Sequence, residues 1–428
     1  MEYYKERDSC RVCGSKSLRP VLSLGEHYVV NFVDSGAEKP VKAPMDLVLC
    51  NAKTGGCGLV QLRHTTSVEL LYRQYWYKSG INQTMRDALA DITDKAEKLV
   101  KLSSDDIVID IGCNDGTLLR SYRNKEIQTI GFDPAENLVP ESSVGTTKII
   151  NDFFNYPAFK KNLSDKKAKV ITSIAMFYDL DDPNTFVSDI GKALDDNGLW
   201  IVQQNYLVGM LEQRAFDNIV HEHLEYYSLL AMNNLLKRHN MEIFDVELNN
   251  LNGGSFRTYI RKKGNTAIKP FQGAEKRLKD VERREAELGL DDTKIYDDFA
   301  SNINGIRDKV VNFVKAEKAK GKKIYVYGAS TRGNTMLQYF GLNNSIITAA
   351  AERSKDKWGK KTVGTNIPII SEEQARKEKP DYFLVLPWFF RKEFIQRESD
   401  YLRAGGKFIF PLPKFDVVGA EAASNLIL

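Results

Sequence analysis

The stretch that decides the fold is DDIVIDIGCNDGTLLRSY, residues 105–122. Its β-branched run, Ile107 to Ile111, leads directly into a glycine turn and then into a helix-forming segment. Gly112 and Gly116 allow the backbone to turn tightly beside a ligand, and Asp110 stands at the strand end, where it can accept a hydrogen bond. The order of strand, turn and helix predicts an α/β domain with a nucleotide-type site.

An acidic residue follows this turn at an informative distance. The next predicted strand, Gln128 to Phe132, ends at Asp133, 21 residues after Gly112. In dinucleotide folds an acidic residue about 20 residues after the turn binds ribose hydroxyls. Asn114 stands where a dinucleotide fingerprint has its second glycine. Because every doubly wound sheet needs glycine turns, the spacing to Asp133 adds more than the turn itself.

This part of the chain resembles the class I S-adenosylmethionine methyltransferases. The resemblance implies that the turn holds the methionine moiety, that Asp133 holds the ribose and that Asp152 lies near the adenine. The residues assigned to the cofactor site are Tyr75, Asp110, Gly112, Asn114, Gly116, Asp133 and Asp152. Further strands in KVITSIAM and GLWIVQQNY, with a helix between them, extend the α/β pattern and predict a methyltransferase domain over residues 68–262.

Composition limits the class of protein. The 428 residues are 42% hydrophobic and 28% charged, which excludes wholesale disorder and predicts two or three folded units. The net charge of +4 gives no support to a nucleic-acid partner. The charged start MEYYKERDSC and the lack of an apolar run of about 18 residues predict a cytoplasmic protein with no membrane partner.

Four of the five cysteines lie within the first 57 residues, in two pairs. Cys10 and Cys13 form a C-x-x-C knuckle, and Cys50 and Cys57 form the second pair. Two thiolate pairs brought together by a hairpin complete a tetrahedral site, so we predict a structural zinc ion in a module spanning residues 1–67. Buried free thiols are the alternative, and His27 or His64 could replace a cysteine as ligand.

Candidate acids and bases concentrate in FDNIVHEHLEYYSLLAMNNLLKRHN, residues 216–240. His221, Glu222 and His223 precede a helix for which Ser228 is the predicted N-cap. A histidine can take a proton at neutral pH, and a neighbouring carboxylate can orient its ring. The alternatives are packing or capping groups, or a histidine pair that ligates a metal. Residues 67–102 read as helical with a break at Gly80, and the tyrosines there could equally pack on the sheet.

The last part of the chain repeats the strand, turn and helix pattern. Residues 263–320 are highly charged and predict a helical connector, followed by a Rossmann-like domain over residues 321–428. In KKIYVYGASTRGNTMLQYF the glycines are spaced like G-x-G-x-x-G with serine in the middle, and an acidic residue follows 24 residues after the first glycine. A helix N-terminus with added cations suits a diphosphate. The residues assigned to it are Gly328, Ser330, Arg332, Gly333, Asn334, Thr335, Glu352, Arg353 and Lys357.

Over essentially its full length the chain resembles the nucleotide-sugar C-methyltransferases of deoxysugar biosynthesis. The motifs that carry the resemblance are CGLVQL, YWYKSGINQTM, HEHLEYYSL, NGGSFR and YGASTRGNT. The family acts on nucleotide-linked keto-sugars: a base removes the proton beside the ketone, and the enolate attacks the methyl group of S-adenosylmethionine. The resemblance implies the catalytic residues His223, Glu222, Tyr77 and Asp179, with His221, Tyr206 and the C-terminal turn contacting the substrate.

Two positions depart from that family. Its members often have histidine where this chain has Asp179, and tyrosine where it has Val220. A sugar O-methyltransferase on the same scaffold is therefore the alternative, because it needs one base and no enolate. An RNA methyltransferase, a non-catalytic nucleotide-binding protein and a nicotinamide oxidoreductase are more distant alternatives. Three mutually covering units predict a monomer or a small homo-oligomer.

Overall fold

The computed structural model describes residues 3–29, 32–33, 41–73 and 75–424. Three folded units follow one another along the chain, each built around its own sheet. Within the described residues, no helix combines the length and apolar character needed to cross a membrane.

The first unit is a small antiparallel module. Its strands are β1 Tyr4–Glu6, β2 Leu18–Tyr28, β3 Phe32–Val33, β4 Lys42–Cys50, β5 Val60–Leu62 and β6 His64–Thr66. β2, β4 and β5 form one sheet, and β1 pairs with β6. The inward side chains of β4 are buried, so the module has a core of its own beside the cysteines.

The second unit has a seven-stranded sheet with helices on both faces. Its helices are α1 Val68–Tyr72, α2 Gln83–Leu99, α3 Thr117–Arg120, α4 Val139–Ser142, α5 Tyr156–Leu163, α6 Pro183–Ala193, α7 Leu207–Glu212 and α8 Leu229–Lys237. The seven strands of its sheet are β7 Ile107–Ile111, β8 Gln128–Phe132, β9 Lys148–Ile150, β10 Ala168–Ile174, β11 Leu194–Asn205, β13 Met241–Asn249 and β14 Ser255–Lys262. A further short strand, β12 Glu225–Tyr226, lies outside this sheet.

The strand order of this sheet is β13-β14-β11-β10-β7-β8-β9, and β14 runs antiparallel to both of its neighbours. Every residue of β7 is buried, which explains its unbroken apolar run. The order reverses between β7 and β10, and ligands of open α/β sheets bind beyond the carboxyl ends of the strands at such a point. The glycine turn at residues 112–116 follows β7 at this edge.

The predicted helix over residues 67–102 is broken more widely than at Gly80 alone. Residues 75–78 have no regular secondary structure, and a short 3-10 turn, Ser79–Ile81, precedes α2. Asn82 caps α2 by accepting a hydrogen bond from the Thr84 N–H at 2.9 Å. Tyr75 and Tyr77 are therefore not on a helix that packs against the sheet.

The third unit has a six-stranded sheet in the order β18-β16-β15-β19-β20-β21, parallel except for its last strand. Two helices precede it, α9 Ala274–Leu288 and α10 Lys294–Ala319. Its own elements are β15 Ile324–Tyr327, α11 Thr331–Phe340, β16 Ala350–Glu352, β17 Lys361–Thr362, β18 Ile369–Ser371, α12 Glu372–Lys377, β19 Tyr382–Val385, α13 Arg391–Arg397, α14 Ser399–Arg403, β20 Lys407–Phe410, β21 Asp416–Val418 and α15 Ala420–Ser424.

The three units share strands across their borders. β12, from the second unit, adds to the edge of β5 in the first, and β17, from the third, pairs with β3. α9 packs against β13, while α10 contacts both β2 and α11. The N-terminal module is thus joined to both α/β units rather than attached at one end.

Candidate active site

The four predicted metal ligands converge. The Sγ atoms of Cys10, Cys13, Cys50 and Cys57 all lie within 4.8 Å of one another, and the closest pairs are 3.5 Å apart. Tetrahedral zinc with bonds of about 2.3 Å places its sulfurs about 3.8 Å apart, so the cluster fits the ion. The neighbouring thiols of Cys10 and Cys57 donate to the Cys50 sulfur and lower its pKa, which favours the thiolate that binds metal. Of the described residues, only these four cysteines form such a cluster.

A single large cavity of about 870 Å³ contains most of the other predicted site residues. It is lined by the glycine turn after β7, by the segment over residues 75–82, by the histidine connection and by the second glycine turn after β15. Its size suits a cofactor and a substrate bound together. Both predicted nucleotide-type turns therefore open into one space.

The end of the cavity beside β7 has the features of a cofactor site. Gly112 and Gly116 have φ values of 72° and 78°, which glycine adopts without strain. Asp133 accepts hydrogen bonds from the backbone N–H groups of Asn114 at 2.7 Å and Ala135 at 2.9 Å, so its carboxylate is fixed at the end of β8. Burial raises the pKa of Asp110 to about 7, although the Thr172 hydroxyl donates to this carboxyl at 2.6 Å. The arrangement fits S-adenosylmethionine.

The side chain of Asn114 holds the segment that covers this turn. Its Oδ1 accepts the Ser79 N–H and its Nδ2 donates to the Tyr77 carbonyl, both at 2.9 Å. Asp115 accepts the Gly80 N–H at 2.7 Å. A Cβ at Gly80 would approach the Asp115 carboxylate to 2.9 Å, so the glycine permits the contact. Asparagine in place of the second glycine thus ties the YWYKSG segment over the cofactor end.

His223 is held in one orientation at the middle of the cavity. Its Nδ1 lies 2.8 Å from the Asn218 carbonyl, and the Tyr178 ring packs edge-on with centroids 4.4 Å apart. Burial, with the charge of Arg332 as a further contribution, lowers the pKa of His223 to about 3. A neutral ring that donates from Nδ1 to a carbonyl must carry its lone pair on Nε2. His223, which lines the cavity, therefore carries a proton acceptor on Nε2.

Two carboxyl groups lie in the same region. Asp179 and Glu222 both line the cavity, and the Tyr72 hydroxyl donates to the Glu222 carbonyl at 3.2 Å. Burial raises the pKa of Asp179 well above its ordinary value, and the charge of Glu222 raises it further. Both effects favour the protonated carboxyl group, which is the form that can donate a hydrogen bond.

The far end of the cavity is formed by the turn after β15. Ser330 caps α11 through its Oγ, which accepts the Gly333 N–H at 3.0 Å. Arg332 donates from Nε to the buried Asp217 at 2.8 Å and from Nη1 to the Asn252 carbonyl at 2.7 Å. Its charge is thus used in joining the two α/β units.

Glu352 and Lys357 also support this turn. Glu352 accepts the Ala329 N–H at 2.8 Å, and Lys357 donates to the Ala329 carbonyl at 2.7 Å. The Glu352 carboxylate is thus bound to the backbone of its turn, as the Asp133 carboxylate is bound to the first turn. Arg353 lines the cavity as an exposed cation.

Several predicted substrate contacts lie outside the cavity. His221 points into the N-terminal module, where its Nε2 lies 3.0 Å from the Ala43 carbonyl, and burial lowers its pKa to about 4. The Tyr206 hydroxyl donates to the buried Glu285 at 2.8 Å, so this side chain supports the fold. The side chains of Asn334 and Thr335 are buried within the third unit, and Gly333 packs against Leu386. These placements do not support the predicted substrate roles.

Some residues at the site were not predicted. Tyr178 and Asn218 fix the ring of His223, and Phe389 and Phe390 line the far end of the cavity. Asn252, whose carbonyl accepts from Arg332, is the one such residue within a motif that the sequence singled out, NGGSFR. Gly253 beside it packs closely on Trp388. A carbonyl that orients a base has no side-chain signature, so Asn218 could not be found from the sequence.

Comparison with known proteins decides the class of enzyme. Three family models match consecutive parts of the chain: a zinc-binding domain over residues 10–72, a methyltransferase domain over residues 81–246 and a C-methyltransferase C-terminal domain over residues 250–413. The chain is an S-adenosylmethionine-dependent methyltransferase. The cysteine module is its structural zinc site, and the resemblance seen in the sequence is confirmed.

A curated relative matches almost the whole methyltransferase. C-methyltransferase NovU of Streptomyces niveus is 28% identical over 422 residues, which are 97% of this chain and 98% of that protein. Among solved structures, an S-adenosylmethionine-dependent methyltransferase from Clostridium acetobutylicum is 15% identical with a TM-score of 0.33, covering 42% of this chain and 92% of its own. The plantazolicin methyltransferase BpumL in complex with SAH is 14% identical with a TM-score of 0.33, covering 42% and 84%.

Proposed function

We propose that this methyltransferase transfers a methyl group to a carbon atom of a nucleotide-linked keto-sugar, with His223 as the base. The observation that carries the proposal is the state of His223, a neutral imidazole whose Nδ1 is committed to the Asn218 carbonyl. His223 lines a cavity that both glycine turns enter. The similarity to a C-methyltransferase over the full chain supports carbon as the acceptor.

The cofactor end supplies the electrophile. S-adenosylmethionine provides a methyl group on a sulfonium sulfur. The turn at residues 112–116 would hold its methionine part, Asp133 its ribose and Asp152 its adenine. Tyr75 and Tyr77 lie on the segment that Asn114 ties over this turn, so they border the space between cofactor and sugar.

The proton step belongs to His223. Nε2 takes the proton from the carbon beside the ketone, the C–H electrons form the enolate C=C bond, and the carbonyl electrons move to oxygen. The enolate carbon then bonds to the transferred methyl group, and the broken C–S bond leaves its electron pair on sulfur. The proton then passes from the imidazolium to solvent or a neighbouring carboxylate.

Asp179 is the residue that we propose stabilises the enolate oxygen. Its raised pKa favours the protonated carboxyl group, and its Oδ1 is buried with no hydrogen-bond partner among the described residues. A buried donor of this kind costs free energy unless a ligand completes it. We infer that the ketone oxygen accepts a hydrogen bond from Asp179. The charge of Glu222 adds to the rise in the pKa of Asp179 that burial causes.

The nucleotide part is expected at the third unit. The turn after β15 and the exposed Arg353 line the same cavity as Asp133. A sugar between these ends would place its ring beside His223 and its diphosphate at the N-terminus of α11. Phe389 and Phe390 offer apolar faces at this end.

The test is methyl transfer in deuterated water. The protein is incubated with S-adenosylmethionine and nucleotide-linked keto- and hydroxy-sugars, and products are analysed by mass spectrometry. We expect gain of one methyl group together with deuterium exchange beside the ketone. A methyl gain with no exchange would favour O-methylation, and no gain with any sugar would refute the proposed substrate class.

Two histidine variants give the matched comparison. His223→Gln should abolish exchange and methyl transfer while S-adenosylmethionine still binds, since this side chain does not belong to the cofactor end. His239→Gln removes a histidine whose Nε2 lies 3.0 Å from Asn184, away from the cavity lining, and should leave both reactions unchanged. Full activity of His223→Gln would remove His223 from the mechanism.

A further inference from the structure

Asp181 connects the zinc module to the loop that carries Asp179. Its carboxylate receives the Thr65 hydroxyl at 2.6 Å and the Arg7 guanidinium at 3.1 Å. Lys5 lies 2.5 Å and Arg11 3.5 Å from the same carboxylate. All four partners belong to the N-terminal module, so one acidic side chain gathers three cations from another folded unit.

A backbone link runs parallel to this cluster. The Leu62 N–H of β5 donates to the Leu224 carbonyl at 2.8 Å, and the Leu224 N–H donates to the Tyr178 carbonyl at 2.9 Å. Leu224 directly follows His223, and the Tyr178 ring packs on the His223 imidazole. Hydrogen bonds therefore connect β5 of the zinc module to Leu224, the residue after His223. Through Leu224 they also connect β5 to Tyr178, whose ring packs on His223.

The metal knuckle is part of the same structure. Arg11 stands between Cys10 and Cys13 and is buried, with 3% of its surface exposed. It donates to the Leu62 carbonyl at 2.6 Å and to the Thr65 hydroxyl at 2.7 Å. Arg11 thus binds both β5 and the Thr65 hydroxyl. β5 contacts Leu224, and Thr65 contacts Asp181 on the loop that carries Asp179.

We infer that Asp181 is a positioning residue, through which the zinc module fixes the loop over residues 178–181 against His223. The inference rests on the proposed role of His223 as the base. Asp181 is three residues from Tyr178 and two from Asp179, so a shift of its carboxylate moves both groups. The zinc module is then a working part of the catalytic centre as well as a fold-stabilising unit.

The effect should fall on catalysis rather than on cofactor binding. A misplacement of about 1 Å between reacting groups can cost about 100-fold in rate. Asp181 lies on the loop after β10, whereas the cofactor turn follows β7 and is held by Asn114 and Asp133. Loss of the Asp181 charge should therefore lower methyl transfer about 10- to 100-fold and leave the affinity for S-adenosylmethionine unchanged.

The test compares Asp181→Asn with Asp195→Asn in the full-length zinc-loaded protein. The two carboxylates are matched, because Asp195 pairs with Lys169 at 2.9 Å and its side chain is 26% exposed, against 25% for Asp181. Asp195 does not line the cavity. Zinc content, S-adenosylmethionine affinity, single-turnover rate and the imidazole ¹⁵N resonances of His223 are measured, the last assigned with His223→Gln.

We expect Asp181→Asn to keep zinc and cofactor affinity, to lose rate and to shift the His223 resonances, and Asp195→Asn to change none of these. Unshifted resonances in Asp181→Asn would overturn the inference. So would a rate loss accompanied by loss of zinc or cofactor binding, since that is a general structural effect. The resonances need no sugar, so they decide the inference even if the proposed substrate class is wrong.

Discussion

The neutral state of His223 predicts an unusual pH dependence of methyl transfer. An ordinary histidine has a pKa of about 6.5, so at pH 5.5 about one molecule in 11 would hold a neutral imidazole. Burial lowers the pKa of His223 to about 3, and essentially every molecule then keeps the neutral base at this pH. On lowering the pH from 8 to 5.5 we expect the rate to change less than about two-fold, where an ordinary histidine would lose about 11-fold.

The assay is the single-turnover rate at saturating S-adenosylmethionine and sugar. Saturation matters because the pKa of Asp110 is about 7, so cofactor affinity itself can change over this range. A rate that falls about ten-fold with a midpoint near pH 6.5, in protein that stays folded, would refute the assignment of a neutral buried base.

Folding must be followed in the same samples. His27 and His221 are buried, and burial lowers the pKa of each to about 4. The unfolded chain binds these protons more tightly, so the unfolding free energy falls once the pH drops below about 6.5 and continues to fall toward 4. Together with His223, whose pKa is lowered in the same way, these groups remove about 4 kcal/mol between pH 8 and 5.5. Circular dichroism at each pH distinguishes a rate that falls because the protein unfolds from a rate that falls because His223 is protonated.

Three further outcomes are expected. Cys13→Ser should lower bound zinc far below one ion per chain and reduce the melting temperature, while Cys113→Ser, which changes the cysteine outside the cluster, should keep its zinc; equal zinc in both variants would contradict the site. Asp133→Asn should weaken S-adenosylmethionine binding at least about ten-fold by calorimetry with the fold retained, and unchanged affinity would place the ribose elsewhere. Asp179→Asn retains a hydrogen-bond donor and should keep activity within about ten-fold, whereas Asp179→Ala should lose about 100-fold; equal rates would exclude donation to the enolate oxygen.

The parts of the fold that the sequence predicted are those set by local pattern. The buried run of β7 and the positive φ of Gly112 follow from residue type, so the turn and its strand were recognisable. The spacing of the two cysteine pairs likewise indicated one shared metal site, and their four sulfur atoms lie together in the structure. Ser228 caps α8 through its Oγ, as expected from its place before an apolar helix.

The histidine connection shows why other features were not predictable. His221 and His223 are two residues apart and read as one motif, yet one contacts Ala43 in the zinc module and the other faces the cavity. The chain turns between them, as shown by the His223 N–H donating to the Val220 carbonyl at 3.0 Å. The direction of each ring depends on which neighbouring unit packs there, and that information is not local.

The orientation of His223 is also fixed from the third unit. Asn218, whose carbonyl accepts from Nδ1, directly follows Asp217, and Asp217 is fully buried against Arg332 at 2.6 Å. Breaking a buried ion pair by removing one partner typically costs about 3–5 kcal/mol, so this contact constrains the segment before the base strongly.

The base is thus held between contacts from two other units. Tyr178 and the strand after His223 are tied to the zinc module, while the segment before His223 is tied to the turn after β15. Because the third unit is the expected site of the nucleotide, a diphosphate bound there would act on the residues that flank Arg332. The catalytic orientation of His223 therefore depends on the assembled chain, and the methyltransferase unit alone lacks the contacts that set it.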